Sequence, residues 1–327
     1  MRIRIFRSLE EARGRFGPSA LTIGNFDGVH AGHRALLDAV VRLAGETGAR
    51  ASALTFHPHP THIVAPERTP RLLTTPDERC ALMRAQGVEQ VLIMPFDAHV
   101  AAMSPEEFFV NVLLGALGVR AVTVGGNFRF GHNQTGGVGT LMELGRRHNA
   151  RVEIVPPIWL RGVMVSSSEI RKLLAQGDVS KAGRLLGRPY ALAGRIVQGT
   201  GRGANQTVPT LNLEMPSLFE ERSAVPANGV YITRTFDVDH PRSWNSITNC
   251  GFRPTFGGRH LTIETFLLDP LNGDSPKRIR VEFLRFVREE RAFESAEALR
   301  AQILRDVARA QTYFRRLATT RLSQPAR

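Results

Sequence analysis

ALTIGNFDGVHAGHRALLDAVVRLAGE, residues 20–46, holds the fold decision. An apolar, β-branched run (20–23) meets a glycine-punctuated loop, and a run with helical spacing follows. This is a strand that turns into a helix. His30 and His33 stand at the turn, three residues apart, so their side chains share one face of the first helical turn. Free N–H groups and the positive dipole end at that point favour an anion. Gly28 and Gly32 allow backbone and phosphate to approach closely. Imidazole N–H donors aimed at a phosphate chain would stabilise charge that builds up in phosphoryl or nucleotidyl transfer. A zinc pair is the other chemistry open to two such histidines, with Asp27 the nearby candidate for a third ligand.

The same grammar continues outward. Short apolar runs recur at 51–56, 90–94, 120–125 and 151–155, with helical stretches between several of them. Ser104, Pro105 and Glu107 form a capping-box start for one of these, and FFVNVLLGAL continues it at helical spacing. Alternating β and α with uniformly apolar strands predicts a Rossmann-like parallel sheet with helices on both faces, and ligands beyond the strands' carboxyl ends. Past about residue 185 strands follow one another: YALAGRIV, PTLNLEM, GVYITRTF, SITNC, LTIETFLL and RIRVEFLRFV, separated by Gly/Pro turns. These suggest a small six-stranded barrel or sandwich. A last helix, capped by Ser295, shows a stripe of Leu299, Ile303, Val307 and Ala310. Two domains are expected, 1–183 and 184–327.

The 327 residues are 42% hydrophobic and 22% charged, ordinary for a globular protein. No apolar run nears the roughly 20 residues of a membrane span, and the basic N-terminus lacks the apolar core of a signal peptide. Two distant cysteines, Cys80 and Cys250, argue against a disulfide framework and suit the cytoplasm. The net charge is +13. The arginines are scattered and not interleaved with aromatics, so the charge suits phosphorylated small molecules rather than nucleic acid.

Other motifs join the histidine loop. VSSSEIR (165–171) puts Ser166, Ser167 and Ser168 at a second helix start, with Glu169 in capping-box position and Arg171 one turn on. FHPHP (56–60) follows the second strand. In GGNFRFGHNQTGG (125–137), Phe128 and Phe130 can pack inward while Asn127 and Arg129 face a nucleotide. In this order, these blocks resemble the adenylyltransferase module of the bacterial bifunctional riboflavin kinase/FMN adenylyltransferase (FAD synthetase) family. VPTLNLEMP (208–216), TIETFLLD (262–269) and the surrounding strands resemble its flavokinase module, a six-stranded antiparallel barrel with a terminal helix.

The resemblance implies FAD synthesis in two steps: riboflavin and ATP to FMN, then FMN and ATP to FAD. It implies roles in ATP binding and catalysis for His30, His33 and Asn127, with Ser166, Ser167, Ser168 and Arg171 on the phosphates. Nucleotide contacts extend to Gly24, Asn25, Phe26, Asp27, Gly28, Gly32 and Arg129. Flavin contacts fall to Phe56, His59, Pro60 and, in the second module, Arg288. Glu264 is the expected general base for the riboflavin hydroxyl, and Thr210 and Asn212, two apart on a strand, the expected Mg2+ ligands beside ATP. The flap departs from the family pattern at Thr207, Val208 and Leu211, and Gln134 stands where arginine is usual. Two alternatives remain open from the residues: an adenylyltransferase with a weakened kinase barrel, and a flavin- or RNA-binding regulator without turnover. Oligomeric state is open.

Overall fold

The computed structural model describes residues 3–197, 210–215, 223–255 and 258–322. Its contacts divide the chain into two units, Met1–Glu169 and Ile170–Arg327. Thr207 and Val208 lie outside the described residues.

The first unit is a six-stranded sheet built from β1 (Arg4–Phe6), β2 (Ser19–Ile23), β3 (Arg50–Phe56), β4 (Gln90–Met94), β5 (Val119–Gly125) and β6 (Arg151–Val155), in the order β1-β4-β3-β2-β5-β6. Every pairing is parallel. β2 and β4 are buried at every residue, as a strand covered on both faces must be. One face carries Leu21, Ile23, Leu54, Leu92, Met94, Val122 and Val124, packed with Phe108, Phe109, Leu113 and Leu141. The other carries small residues, Ala20, Ala51, Ala53 and Ala121, beneath the helix Ala31–Thr47, whose Leu37 packs in one cluster with Ala53 and whose Val40, Leu43 and Ala44 pack with the other three. Without bulk on these strands, the helix sits close to the sheet. β1, three residues long, carries too little pattern to be read from sequence.

Ser104 and Glu107 form the expected reciprocal capping box. The continuation departs from the expectation: Phe108–Ala116 is wound as a π-helix. Its end shows the wider register, with the Leu117 N–H reaching the Val112 carbonyl at 3.1 Å. A short hairpin, β7 (Trp159–Leu160) with β8 (Val163–Met164), closes the unit and leaves Trp159 60% exposed.

The second unit is a closed antiparallel barrel of β9 (Tyr190–Val197), β10 (Thr210–Glu214), β11 (Gly229–Asp237), β12 (Ser243–Thr255), β13 (Gly258–Leu267) and β14 (Arg278–Arg288), in the order β10-β13-β12-β11-β14-β9. Closure removes the exposed edges that a sandwich would leave. The helix Val179–Leu186 belongs to this unit, its Ser180 hydroxyl donating to the Leu284 carbonyl. Inside, five fully buried hydroxyl residues form a connected set. Thr233 meets Ser246 and Thr248, Thr235 meets Ser246, and Thr248 meets Thr265, at 2.8–3.0 Å. Each hydroxyl thereby finds a partner that water cannot supply.

The closing helix, Ala296–Leu322, packs on the outside of the barrel, with Ala310 beside Val230, Ile232 and Ile247 and half-buried Val307. Its expected stripe needs correction at one end: Leu299 is exposed. The inner positions of the first turns belong to Gln302 and Asp306, both buried, which bind Arg291, Arg305 and Arg288.

Asp237 closes β11 as a buried carboxylate. It accepts hydrogen bonds from the backbone of Asp239, from the His240 ring and from Arg242 at 2.7 Å, while Arg278 pairs with Asp239 alongside. Burial acts to raise its pKa, but the Arg242, Asp239 and His240 hydrogen bonds outweigh it and hold it at about 2. A carboxylate depressed in the folded state stabilises fully above its unfolded value of roughly 4, and this is lost as pH falls through its folded value. Urea unfolding of Asp237→Asn should therefore show a shallower fall in midpoint between about pH 4 and 2 than wild type does.

Candidate functional site

In the strand order the chain moves from β2 to β3 on one side, while β5 lies on the other. This reversal creates a crevice at the carboxyl ends of adjacent strands. Three sequence-predicted loops leave from those ends: 24–30 after β2, 57–60 after β3 and 126–137 after β5.

His30 is the N-cap of the helix Ala31–Thr47, and its Nδ1 accepts the His33 backbone N–H at 3.2 Å. With Nδ1 an acceptor, the neutral ring carries its proton on Nε2, the tautomer of a donor. The rings of His30 and His33 stack, centroids 3.6 Å apart and 14° from parallel. Gly32 suits this packing: a Cβ there would stand 3.2 Å from the His30 ring, which would have to give by a few tenths of an ångström. Gly28, at φ 83°, turns the loop, and Phe26 and Val29 also hold positive φ, at 49° and 39°. A β-branched residue there is strained and persists because its surroundings over-determine it.

Asp27 supplies that constraint. Only 1% exposed, it accepts from the backbone N–H groups of Leu73 and Thr74, each at 3.0 Å, and from the Thr74 hydroxyl at 3.1 Å. The same hydroxyl accepts the Gly28 N–H at 3.0 Å. The Arg79 guanidinium stands 3.8 Å from the Asp27 carboxylate, both deeply buried. So the Asp27 side chain is turned into the protein, and Phe26, fully buried, is turned with it. Gly24 and Asn25 continue the strand outward. The Asn25 amide lies 2.9 Å from His59 Nε2, which joins the loop to FHPHP, where the His57–Pro58 peptide is cis. Phe56 packs edge-on to Phe96, and Pro60 begins a short helix.

On the β5 side, Phe128 and Phe130 stack at 5.4 Å and join the core, while Asn127 and Arg129 remain exposed. Ser166 caps the helix Ser167–Ala175 by accepting the Glu169 N–H. Ser167 donates to the Asp27 carbonyl at 2.9 Å, which seats this second helix start against the histidine loop. Ser168 is exposed, and Arg171 lies one turn further along the helix. Two helix starts, two imidazoles and several hydroxyls offer donors of the kind that suit an anion. Among the described residues no group of three or more His, Cys, Asp or Glu is arranged to hold a metal ion. With its oxygens committed to three donors of Leu73 and Thr74, Asp27 does not serve as the third ligand of a zinc pair.

In the barrel, Glu264 on β13 is directly opposite Asn212 on β10 and Asn249 on β12. Cross-strand partners share a face, so the three residues and Thr210, two before Asn212, project together. Leu211 and Leu213 alternate inward, which puts this set on the outside of the barrel wall. Asn249 donates to Glu290 at 3.2 Å. Glu290 also lines a cavity of about 450 Å³ with Gln176, Asn228, Phe286 and Arg291. Arg288 is bound by Asp306 at 2.9 Å and stands over the Phe293 ring. Thr55, Thr74, Arg79, Asn249 and Glu290 join these surroundings without a role that the sequence motifs assign them. Only Thr75-Pro76-Asp77-Glu78, a capping box readable before Arg79, marked that region.

The FAD synthetase family matches residues 14–169 and the riboflavin kinase family residues 186–314. The bifunctional riboflavin kinase/FMN adenylyltransferase of Pseudomonas fluorescens is 35% identical over 94% of this chain and 97% of its own. The protein of the same name from Escherichia coli K12 is 32% identical over 90% and 92%. A solved structure described as a macrolide-efflux protein from Streptococcus pneumoniae has the same fold, with TM-score 0.84 and 24% identity over 95% of this chain and 99% of that one.

Replacing Asp27 by Ala removes the carboxylate facing a buried guanidinium and the acceptor for three N–H or O–H groups. The expected cost is about 3–5 kcal/mol, read as a lower urea midpoint.

Proposed function

The chain belongs to the bifunctional riboflavin kinase/FMN adenylyltransferase family, and from that premise we propose how its residues divide the two reactions. The barrel converts riboflavin and ATP to FMN and ADP; the parallel-sheet unit converts FMN and ATP to FAD and pyrophosphate.

For the second step, the observation that carries the assignment is the stacked His30–His33 pair at a helix start in the sheet's crevice. The FMN phosphate has a second pKa near 6, so it is largely a dianion at neutral pH. It attacks the α-phosphorus of ATP without a general base, and pyrophosphate leaves. The site's task is to hold both phosphates in line and to stabilise the charge that develops. His30 Nε2–H, His33, the Gly28–Gly32 backbone and Ser166–Ser168 with Arg171 do so on the nucleotide side. Asn127 and Arg129, exposed beside the crevice, meet the nucleoside. Gly24 and Asn25 shape its floor, and Phe26 and Asp27 hold the loop from beneath. The flavin lies toward Phe56, His59 and Pro60.

For the first step, the riboflavin hydroxyl is a poor nucleophile, and Glu264 is the base that receives its proton. Its cross-strand position beside Asn212 supports this. Thr210 and Asn212 offer neutral oxygens on one face, a donor set that fits Mg2+ sharing phosphate oxygens. When bound, the ion neutralises charge on the transferred phosphoryl group. The cavity beside Glu290 has room for a flavin ring, and Arg288 would steady its wall through Asp306.

The test is the flavin product profile with riboflavin or FMN, MgCl2 and ATP. Glu264→Gln should slow FMN formation by about 10²-fold or more and leave FMN-to-FAD conversion intact. His30→Ala and His33→Ala should each slow FAD formation by about 10²–10³-fold and spare the kinase. Equal losses in both steps for both kinds of variant would refute the division.

A further inference from the structure

We propose that Arg79 is a positioning residue for FMN adenylylation, a buried guanidinium that sets the separation between the histidine loop and the FHPHP loop. The inference rests on assigning those loops to ATP and FMN.

Arg79 lies on the inner face of the helix Pro76–Ala85, beside buried Cys80 and Met83, with its side chain 3% exposed. An arginine on a helix normally keeps its head in water; this one does not. One arm of its fork faces Asp27, at 3.8 Å. The other donates to the Thr55 hydroxyl at 3.0 Å and approaches the Phe56 carbonyl at 3.5 Å, at the point where β3 becomes the FHPHP loop. Thr55 relays the contact: its hydroxyl donates to the Asn25 carbonyl at 3.0 Å. The Asn25 amide then meets His59 at 2.9 Å. One planar cation thus ties the root of the imidazole loop, through Asp27 and Asn25, to the root of the flavin-side loop.

A buried ion pair adds little to stability, because desolvation offsets its attraction. Its retention here is accounted for by geometry. The two substrates' phosphates must meet in line, and a displacement of about 1 Å can cost on the order of 10²-fold in rate. Arg79 touches neither phosphate; it acts through the backbone that carries the groups that do.

The experiment uses the full-length chain, assaying FMN adenylylation and riboflavin phosphorylation separately, so that the kinase serves as an internal control. Arg79→Met, Arg79→Lys and Thr55→Val are compared with wild type, each with a thermal melt. Arg79→Met should lower kcat for FAD formation by roughly 10- to 100-fold, with KM for ATP within about twofold and the kinase unchanged. Arg79→Lys, which keeps the cation but not the two-armed fork, should recover only part of the loss. Thr55→Val, which removes the hydroxyl's bonds to both Arg79 and Asn25 but keeps the Asp27 pair, should show a smaller fall in kcat than Arg79→Met. Wild-type kcat in Thr55→Val together with Arg79→Met would overturn the proposal. So would a fall in kcat that only tracks a lowered melting midpoint. Failure of the wild-type chain to convert FMN would instead overturn the assignment of the site itself.

Discussion

A carboxylate sealed from water shapes the first unit's site more than the imidazoles do. Asp27 has no solvent to satisfy it, so it gathers the N–H groups of Leu73 and Thr74 and the Thr74 hydroxyl. In doing so it bends the chain on either side into a path that Phe26 and Val29 would not take alone. Left-handed backbone at a non-glycine residue is tolerated where neighbouring bonds enforce it. The reward is positional. His30 arrives at the first turn of its helix with one ring nitrogen occupied by the backbone and the other a donor. The loop's outer face is free of carboxylate charge that would repel a phosphate.

The barrel meets the same need for a positioned carboxylate by different means. Glu264 is held by strand register, with an asparagine on each neighbouring strand. Register in a closed barrel leaves little freedom, because a slip by one residue would exchange the inner and outer faces of a whole strand. The hydroxyl set inside adds to that specification: Thr233, Ser246, Thr248 and Thr265 find their partners only in this alignment.

How much of this was legible beforehand follows from the range of each interaction. β2 to β5 could be read because strands buried on both faces are largely apolar, and β6, half-exposed at the edge, from its short β-branched run. All six barrel strands could be read from alternation and turn residues. The His30–His33 pair could be read because three residues in a helix is a fixed geometry. The partners of Asp27 lie 46 and 47 residues away and leave no local trace. Arg79, a charge within a helical pattern, looks in sequence like a solvated one. The π winding of Phe108–Ala116 is chosen by packing, since its apolar pattern serves either winding. At Leu299 an apolar residue suggested a contact that Gln302 and Asp306 take instead.

The chain has two tryptophans, and each unit holds one. Trp159 stands in solvent on its hairpin, while Trp244 is buried with the Arg242 guanidinium 5.5 Å from its ring. Indoles in such unlike surroundings fluoresce at different wavelengths. The intrinsic emission spectrum therefore contains one component from each catalytic half, and the unfolding of either can be followed in the intact chain without an attached dye.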